Sequence, residues 1–290
     1  MPESNPNQLS DKHIESNISN RWKWFFALSV VLTIGIQWAI GSITPGQLMM
    51  DVPRWSSWAF LETQWTYFYL HIFTFIPVFC LSFDKNVHYY RKWRHLLPAV
   101  LVVALVFIIW DVVFTISGVW GFNESYLSGL FFLGLPMEEW LFFFTVPFAC
   151  VFIYECLNFY IKKDLLKDIE PYLTKLLIVL FLGIGIWKFN HAYTATTFLG
   201  SGLFLLYHQL FERASYRSRF YLAYLVTWLP FMLVNGVLTG GFTQEPVVIY
   251  NPEEYFGFRI GSVPIDDSVY SFLMLLGVTT LFERWRPDKN

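Results

Sequence analysis

Long apolar runs alternate with short polar segments along most of this chain. Eight of these runs approach the roughly 20 mostly apolar residues that a helix needs to cross the hydrocarbon core of a bilayer. Trp and Tyr residues cluster near the ends of the runs, as interfacial aromatic side chains do in membrane helices. The pattern predicts eight membrane-spanning helices, over residues 24–43, 65–83, 96–117, 135–156, 173–189, 196–211, 220–240 and 263–282.

The amino-acid composition agrees with this interpretation. Only 14% of the residues are charged, against about 25% in an ordinary soluble domain, whereas 55% are hydrophobic and 21% aromatic. So little charge cannot cover a water-facing surface of this size, so lipid must cover most of it. The net charge of −2 creates no basic field that would attract nucleic acid. We therefore expect an all-α integral membrane protein that contacts the lipid bilayer and does not bind nucleic acid.

Basic residues divide unevenly between the two sides of the predicted bundle. With eight spans, both termini lie on the same side as the loops after spans two, four and six. That side holds all but three of the 20 Lys and Arg residues, the exceptions being Arg54, Lys188 and Arg259. Because basic residues favour the cytoplasmic side, both termini are predicted to be cytoplasmic, with a bacterial cytoplasmic membrane as the expected location.

The N-terminal segment differs from the rest of the chain. Residues 1–20 are rich in Ser, Asn, Asp and Glu, and they lack the basic start and apolar core of a cleaved signal peptide. We expect a disordered polar tail there. Residues 21–62 are predicted to form an additional helix and loop, followed by two related domains over 63–160 and 161–290.

A repeated motif supports two related domains. Segment 136–139 (Pro-Met-Glu-Glu) opens the fourth span, and segment 264–267 (Pro-Ile-Asp-Asp) opens the eighth. At the same spacing behind each Pro comes an acidic residue, Glu155 or Glu283, which we expect to pair with nearby Lys or Arg. Since four spans return the chain to its starting side, the two copies are parallel and both acidic pairs lie at one membrane face. Repeats of this kind place a site at their interface.

Two interpretations of the acidic pairs remain open. Glu138, Glu139, Asp266 and Asp267 each lie in the first turn after a Pro, where carboxylates favour the positive end of the helix dipole. Alternatively, they form a catalytic site, because carboxyl groups in a membrane are costly and usually functional. Four carboxyl groups at one apolar interface cannot all ionise, so one can donate a proton and another can accept one.

Several further residues could support such a site. Asp111 and Asn235 lie near the outer ends of spans three and seven, where Asp111 could orient an acid and Asn235 is more typical of helix packing. Asn123 lies in the loop before the first acidic pair. The rings of Trp120 and Trp140 could stabilise a carbocation, although a packing role is the simpler interpretation for each ring.

Familiar cofactor motifs are absent from the sequence. It contains no GxGxxG behind a strand, no P-loop, no HExxH and no histidine box. No cofactor and no bound metal is therefore evident from the motifs. Two classes of function remain open, acid–base chemistry on a lipid-soluble molecule and transport.

The motifs around the acidic pairs resemble the small membrane-embedded lycopene cyclases. The resemblance rests on segments 81–85, 90–98, 111–115, 118–123 and 135–143 in the first half. In the second half it rests on Asn235 and on segments 238–240, 246–251, 257–260 and 264–267. It covers about residues 65–285 and matches the fused form of a family that also occurs as two small subunits.

The resemblance implies a substrate and a reaction. Linear ends of lycopene, or of a related carotenoid, would close to β-type rings, giving γ- and β-carotene without net redox change. Glu138 and Glu139 match the acidic motif of the family, and Asp266 and Asp267 occupy the matching second motif. Association with other carotenoid enzymes or with further copies of the chain is left open. A carotenoid hydratase, a carboxylate-lined transporter and a noncatalytic carotenoid-binding subunit are the alternatives.

Overall fold

The computed structural model of the protein describes residues 27–41, 43, 46–212 and 214–286. The predicted polar tail over residues 1–20 and the start of the first predicted span lie outside the described residues. Within them the chain forms eight α-helices, and the predicted all-α fold with two repeats is confirmed. The helices are α1 (Ala27–Ala39), α2 (Thr66–Leu81), α3 (Trp93–Ile116), α4 (Met137–Tyr160), α5 (Glu170–Trp187), α6 (Ala192–Phe211), α7 (Arg217–Leu238) and α8 (Ile265–Trp285).

The helices differ in how well they suit a membrane span. Five of them, α3, α4, α5, α7 and α8, are long and apolar enough to cross a bilayer, whereas α1 and α2 are apolar but shorter. Helix α6 has 20 residues but carries several small polar side chains, including Thr196, Thr197 and Ser201. These three are fully buried against other helices, so α6 does not need an apolar surface. Large apolar side chains such as Leu101, Val179 and Leu229 are exposed, as expected for a surface that faces lipid.

Helix α8 lies at the centre of the bundle. It contacts α3, α4, α6 and α7, and almost all of it is buried, whereas only half of α4 is. Helix α1 packs against the second half of the chain, where Thr196 Oγ1 donates to Gln37 Oε1 at 2.7 Å and Gln37 Nε2 donates to the Phe189 carbonyl at 3.1 Å. The additional N-terminal helix therefore closes the outside of α6.

Three short antiparallel ribbons connect the helix ends. Strands β2 (Phe131–Phe132) and β3 (Leu135–Pro136) form a hairpin before α4, and β5 (Arg259–Ile260) and β6 (Val263–Pro264) form the corresponding hairpin before α8. Strand β1 (Trp120–Phe122) in the first half pairs with β4 (Val248–Tyr250) in the second.

The β1–β4 pairing indicates how the two repeats are related. Gly121 lies opposite Ile249, and the flanking bonds match, since Asn123 N donates to the Val247 carbonyl at 2.8 Å and Asn251 N donates to the Val119 carbonyl at 2.9 Å. Asn123 is equivalent to Asn251 in the two repeats, and Val119 is equivalent to Val247, so each bond is the counterpart of the other. A pseudo-twofold axis through this ribbon accounts for that exchange and places both hairpins at the same end of the bundle.

Charged residues collect at the opposite end. Glu155 near the end of α4 is buried and forms ion pairs with Lys92 and, at 2.7 Å, with Arg286. Arg286 also contacts Glu283 at 2.9 Å. The predicted pairing of Glu155 and Glu283 with basic residues is confirmed, and it ties α4 to α8 and to the start of α3.

We expect Glu155→Gln to lower the free energy of unfolding by about 2 kcal/mol, because Lys92 and Arg286 lose a buried counter-charge. Thermal unfolding of the purified protein in detergent measures the effect. The control is Asp168→Asn, which changes an exposed acid and should leave the midpoint unchanged. Equal midpoints for the two variants would show that the ion cluster does not stabilise the bundle.

Candidate active site

The two acidic pairs begin helices that follow tight hairpins. Pro136 and Pro264 end strands β3 and β6 with extended backbones, at φ values of −63° and −57°, and α4 and α8 start at the next residue. Because Pro has a fixed φ and no N–H, it suits this junction between a strand and a helix. Each carboxyl pair therefore lies in the first turn of its helix, at the positive end of the helix dipole.

The first acid of each pair holds its own hairpin. Glu138 Oε1 accepts a hydrogen bond from Ser128 N at 2.8 Å. In the second half, Asp266 accepts from Phe256 N at 3.2 Å and from Thr194 Oγ1 at 2.6 Å. Ser128 and Phe256 occupy equivalent positions before the two hairpins. The donors lie in the loops before the hairpins and on α6, and neither acid lines the cavity described next.

The second acid of each pair faces the interface between the repeats. Glu139 Oε2 accepts from the Tyr67 hydroxyl at 2.6 Å, and Asp267 Oδ1 accepts from the Tyr193 hydroxyl at 2.7 Å. Tyr67 and Tyr193 lie in the first turns of the equivalent helices α2 and α6. A buried tyrosine thus supports a buried carboxyl group in each half.

Glu139 and Asp267 share one cavity with a third carboxyl group, that of Asp111. The cavity measures about 50 Å³ and draws its walls from both halves of the chain. Its polar and aromatic lining consists of Tyr67, Asp111, Trp120, Phe122, Glu139, Phe142, Tyr193, Phe231, Asn235, Tyr250, Asp267, Tyr270 and Ser271. The expectation of a site at the repeat interface agrees with this placement.

The two halves of the cavity differ in hydrogen bonding. Besides Tyr193, Asp267 accepts from Asn235 Nδ2 at 2.6 Å and from the Tyr250 hydroxyl at 2.9 Å, both on Oδ2. Glu139 has the Tyr67 hydroxyl as its side-chain donor. Burial and the charge of Asp267 raise the pKa of Tyr250 well above its usual value, so this hydroxyl keeps its proton and donates. Three donors stabilise a negative charge on Asp267 more than one donor does on Glu139.

Aromatic rings surround the carboxyl groups. Tyr270 packs edge-on against Trp110 and Phe107, with ring centroids 5.0 and 4.9 Å apart. Trp120 packs edge-on against Tyr193 at 5.0 Å, and its Nε1 donates to Asp111 Oδ1 at 2.6 Å. Asp111 therefore orients a tryptophan ring beside the cavity. Ring faces in such a site can stabilise a positive charge.

The structure separates the residues that the sequence grouped together. Asp111, Trp120, Glu139, Asn235 and Asp267 line the cavity, whereas Glu138 and Asp266 hold the hairpins behind it.

Two further candidates lie outside the cavity lining. Asn123 donates to Glu245 Oε2 at 2.9 Å and caps the turn at Ser125. Trp140 donates to the Phe132 carbonyl at 3.2 Å and packs on the Phe132 ring. The structure therefore assigns Asn123 and Trp140 loop contacts.

Sequence reasoning gave no role to the tyrosines that bind the carboxyl groups of the site. Tyr67, Tyr193, Tyr250 and Tyr270 all line the cavity, and the first three bind its carboxyl groups. Tyr67 and Tyr193 are each the second residue of their helices, but their distances to Pro136 and Pro264 differ by two residues, so the repeat spacing of the sequence does not align them. Tyr250 lies in segment 246–251, on which the family resemblance rests, and Tyr270 follows the second acidic pair by three residues.

Fold and site together define a helical membrane protein with three carboxyl groups and an aromatic wall at the interface of two repeats. The family model described as Lycopene cyclase matches residues 63–157 and 190–285, about two thirds of the chain. The chain belongs to the lycopene cyclase family, a family of carotenoid cyclases. The two matched segments contain α2 to α4 and α6 to α8, so each contributes one tyrosine–carboxyl pair to the cavity. No curated protein and no solved structure matches the chain.

Proposed function

We propose that the protein closes the linear ends of lycopene to β-type rings, giving γ-carotene after one closure and β-carotene after two. The observation that carries the proposal is the shared cavity, in which Glu139 of one repeat and Asp267 of the other meet under aromatic walls. Membership of the lycopene cyclase family supplies the substrate class.

The difference in hydrogen bonding supports an assignment of roles. Glu139 is the proton donor, because among the described side chains Tyr67 alone donates to it and three carboxyl groups beside one another cannot all ionise. Asp267 is the proton acceptor, because Tyr193, Tyr250 and Asn235 stabilise it as an anion.

The reaction balances without an oxidant or reductant. Glu139 adds a proton to the terminal double bond and leaves a tertiary cation on the neighbouring carbon. The next double bond along the chain attacks that carbon, which forms the ring bond and moves the positive charge into the ring. Asp267 removes a ring proton, and the electron pair of the broken C–H bond forms the ring double bond. One proton enters and one leaves, so the overall reaction involves no net oxidation or reduction.

The aromatic lining suits the charged intermediate. Trp120 and Tyr270 lie beside the carboxyl groups, and their ring faces can stabilise a carbocation by about 1 kcal/mol or more each in a desolvated site. Neutral rings do this without capturing the cation covalently. Water is the competing nucleophile, and the small volume of the cavity, about 50 Å³, leaves little room for water beside the substrate.

We place the active site toward the outer membrane face, with both termini in the cytoplasm. The support for this orientation is that Lys92 and Arg286 lie at the end of the bundle opposite to the acidic pairs. Basic residues favour the cytoplasmic side.

Pigment analysis of lycopene-producing cells that express the chain tests the proposed function. We expect lycopene to disappear and γ- or β-carotene to accumulate, while cells without the chain keep lycopene. Immunoblotting of the membrane fraction provides the control for insertion. Hydroxylated, uncyclised pigment would indicate a hydratase, and unchanged lycopene with normally inserted protein would exclude lycopene as the substrate.

A further inference from the structure

An apolar groove of about 410 Å³ lies between α2, α4 and α7. Among its lining residues only Thr74, Thr227, Asn235 and the thiol of Cys150 interrupt aliphatic and aromatic walls. Interior prolines Pro77 of α2 and Pro230 of α7 also line it. Because an interior proline removes a helix hydrogen bond and disturbs the preceding turn, the two prolines account for the space between these helices.

The groove leads to the carboxyl groups. Phe142, Phe231 and Asn235 line both the groove and the cavity that holds Glu139 and Asp267. From Phe142 the groove follows α4 to Ile153, a rise of about 16 Å along the helix. It therefore offers an extended apolar path that begins at the proposed proton donor and acceptor.

Among the described residues, the equivalent place between α3, α6 and α8 is closely packed. On the other side α8 takes the place of α4, and it is almost wholly buried among α3, α6 and α7. A side chain at Gly200 of α6 would lie 3.0 Å from Leu273 of α8 and 3.8 Å from Val30 of α1, so these helices pack closely. A second apolar groove, between α5, α7 and α8, shares no lining residue with the carboxyl cavity.

We propose that the groove between α2, α4 and α7 binds the polyene chain of the substrate, so that one end is cyclised in each binding event. The proposal rests on the proposed function. A straight apolar chain fits the continuous path. Because the groove adjoins the carboxyl cavity, the end of such a chain would lie near the carboxyl groups. After the first closure the one-ring product leaves and binds again in the reverse direction.

Filling the groove tests the first half of the proposal. Cys150 lines it two turns of α4 below Phe142, away from the carboxyl groups. In proteoliposomes we expect Cys150→Phe to lower kcat/KM for lycopene and Cys150→Trp to lower it by about tenfold or more, because each lost contact weakens binding of the chain. Val146→Phe fills the same groove and replaces Cys150→Trp if that variant unfolds.

The matched control is Leu177→Trp, which fills the groove between α5, α7 and α8. We expect this variant to cyclise lycopene at the wild-type rate. Normal activity in a folded Cys150→Trp protein, or an equal loss in Leu177→Trp, would overturn the assignment of the groove.

The products of the first turnovers test the second half. With lycopene in excess over the protein, we expect the earliest product to carry one ring. Two-ring product without free one-ring product at the earliest times would contradict separate binding events.

The experiment also separates this proposal from the proposed function. If the wild-type protein yields no cyclised product, the proposed cyclase function is wrong. The amount of lycopene that the protein retains on purification then tests whether the groove binds a polyene chain. Retention that Cys150→Trp removes and Leu177→Trp preserves would support the groove as a polyene site. Failure of the wild-type protein to retain lycopene would exclude the groove as a polyene site. Retention of lycopene by the Cys150→Trp variant would also exclude it and would point to bilayer lipid as the occupant of the groove.

Discussion

Glu139→Gln is expected to lower the rate of lycopene cyclisation at least 100-fold, because the amide cannot donate the proton that starts the reaction. The substitution keeps the shape of the side chain, and the Gln carbonyl can still accept the Tyr67 hydroxyl bond. We therefore expect normal membrane levels and a thermal midpoint close to that of the wild type. Initial rates in proteoliposomes, with thermal unfolding in detergent alongside, measure both effects.

The neighbouring acid supplies the control. Glu138 lies one position earlier in the same helix turn but accepts a bond from Ser128 N and does not line the cavity. Glu138→Gln keeps an acceptor for that amide, so we expect activity within about tenfold of the wild type, since the reacting groups are untouched. Equal losses in the two variants would place both acids in the reaction, and an active Glu139→Gln protein would remove Glu139 from the role of donor.

Asp267→Asn is expected to abolish cyclisation and also to destabilise the protein. The substitution removes the proposed proton acceptor, for which a loss of about 100-fold or more is typical. It also places an amide group among three donors, Tyr193, Tyr250 and Asn235, of which at least one loses its acceptor. A buried donor without a partner costs about 1–3 kcal/mol, so the thermal midpoint should fall by several degrees.

This combination distinguishes Asp267 from Glu139 and from Asp266. Asp266→Asn keeps an oxygen for Phe256 N and Thr194, so it should retain most of the activity. Tyr250→Phe removes one of the three donors and should give a smaller loss of activity than Asp267→Asn. An active Asp267→Asn protein would transfer the role of acceptor to Asp111, the third carboxyl group of the cavity.

Much of the fold could be predicted because a bilayer imposes strong rules on sequence. Helix α3 illustrates this, since an apolar run over 96–117 became a helix over Trp93–Ile116. Helix α6 followed a weaker signal, and its buried Thr and Ser residues explain why hydropathy alone describes it poorly. The repeated acidic motif predicted equivalent halves, and the β1–β4 ribbon joins equivalent positions of both.

The site was only partly predictable because helix rotation decides which residues face it. Consecutive residues of a helix point about 100° apart, so the packing of α4 decides which of Glu138 and Glu139 faces the cavity. Helix α4 is apolar on nearly all sides, so its sequence contains no amphipathic stripe that would distinguish an inner from an outer face. The pairing of Trp120 with Asp111 and of Tyr250 with Asp267 likewise depends on where two loops pass over the helix ends.

The sequence by itself determined a helical membrane protein of two parallel repeats, with an acidic pair at the start of a helix in each and the motifs of the lycopene cyclase family. These features are local or periodic, and lipid enforces them directly. Tertiary structure alone decided that Glu139 and Asp267 meet while Glu138 and Asp266 hold the hairpins, that tyrosines support the two facing acids, and that an apolar groove between α2, α4 and α7 adjoins their cavity. These features depend on how neighbouring helices pack and rotate, because contacts between residues distant in the chain set those rotations.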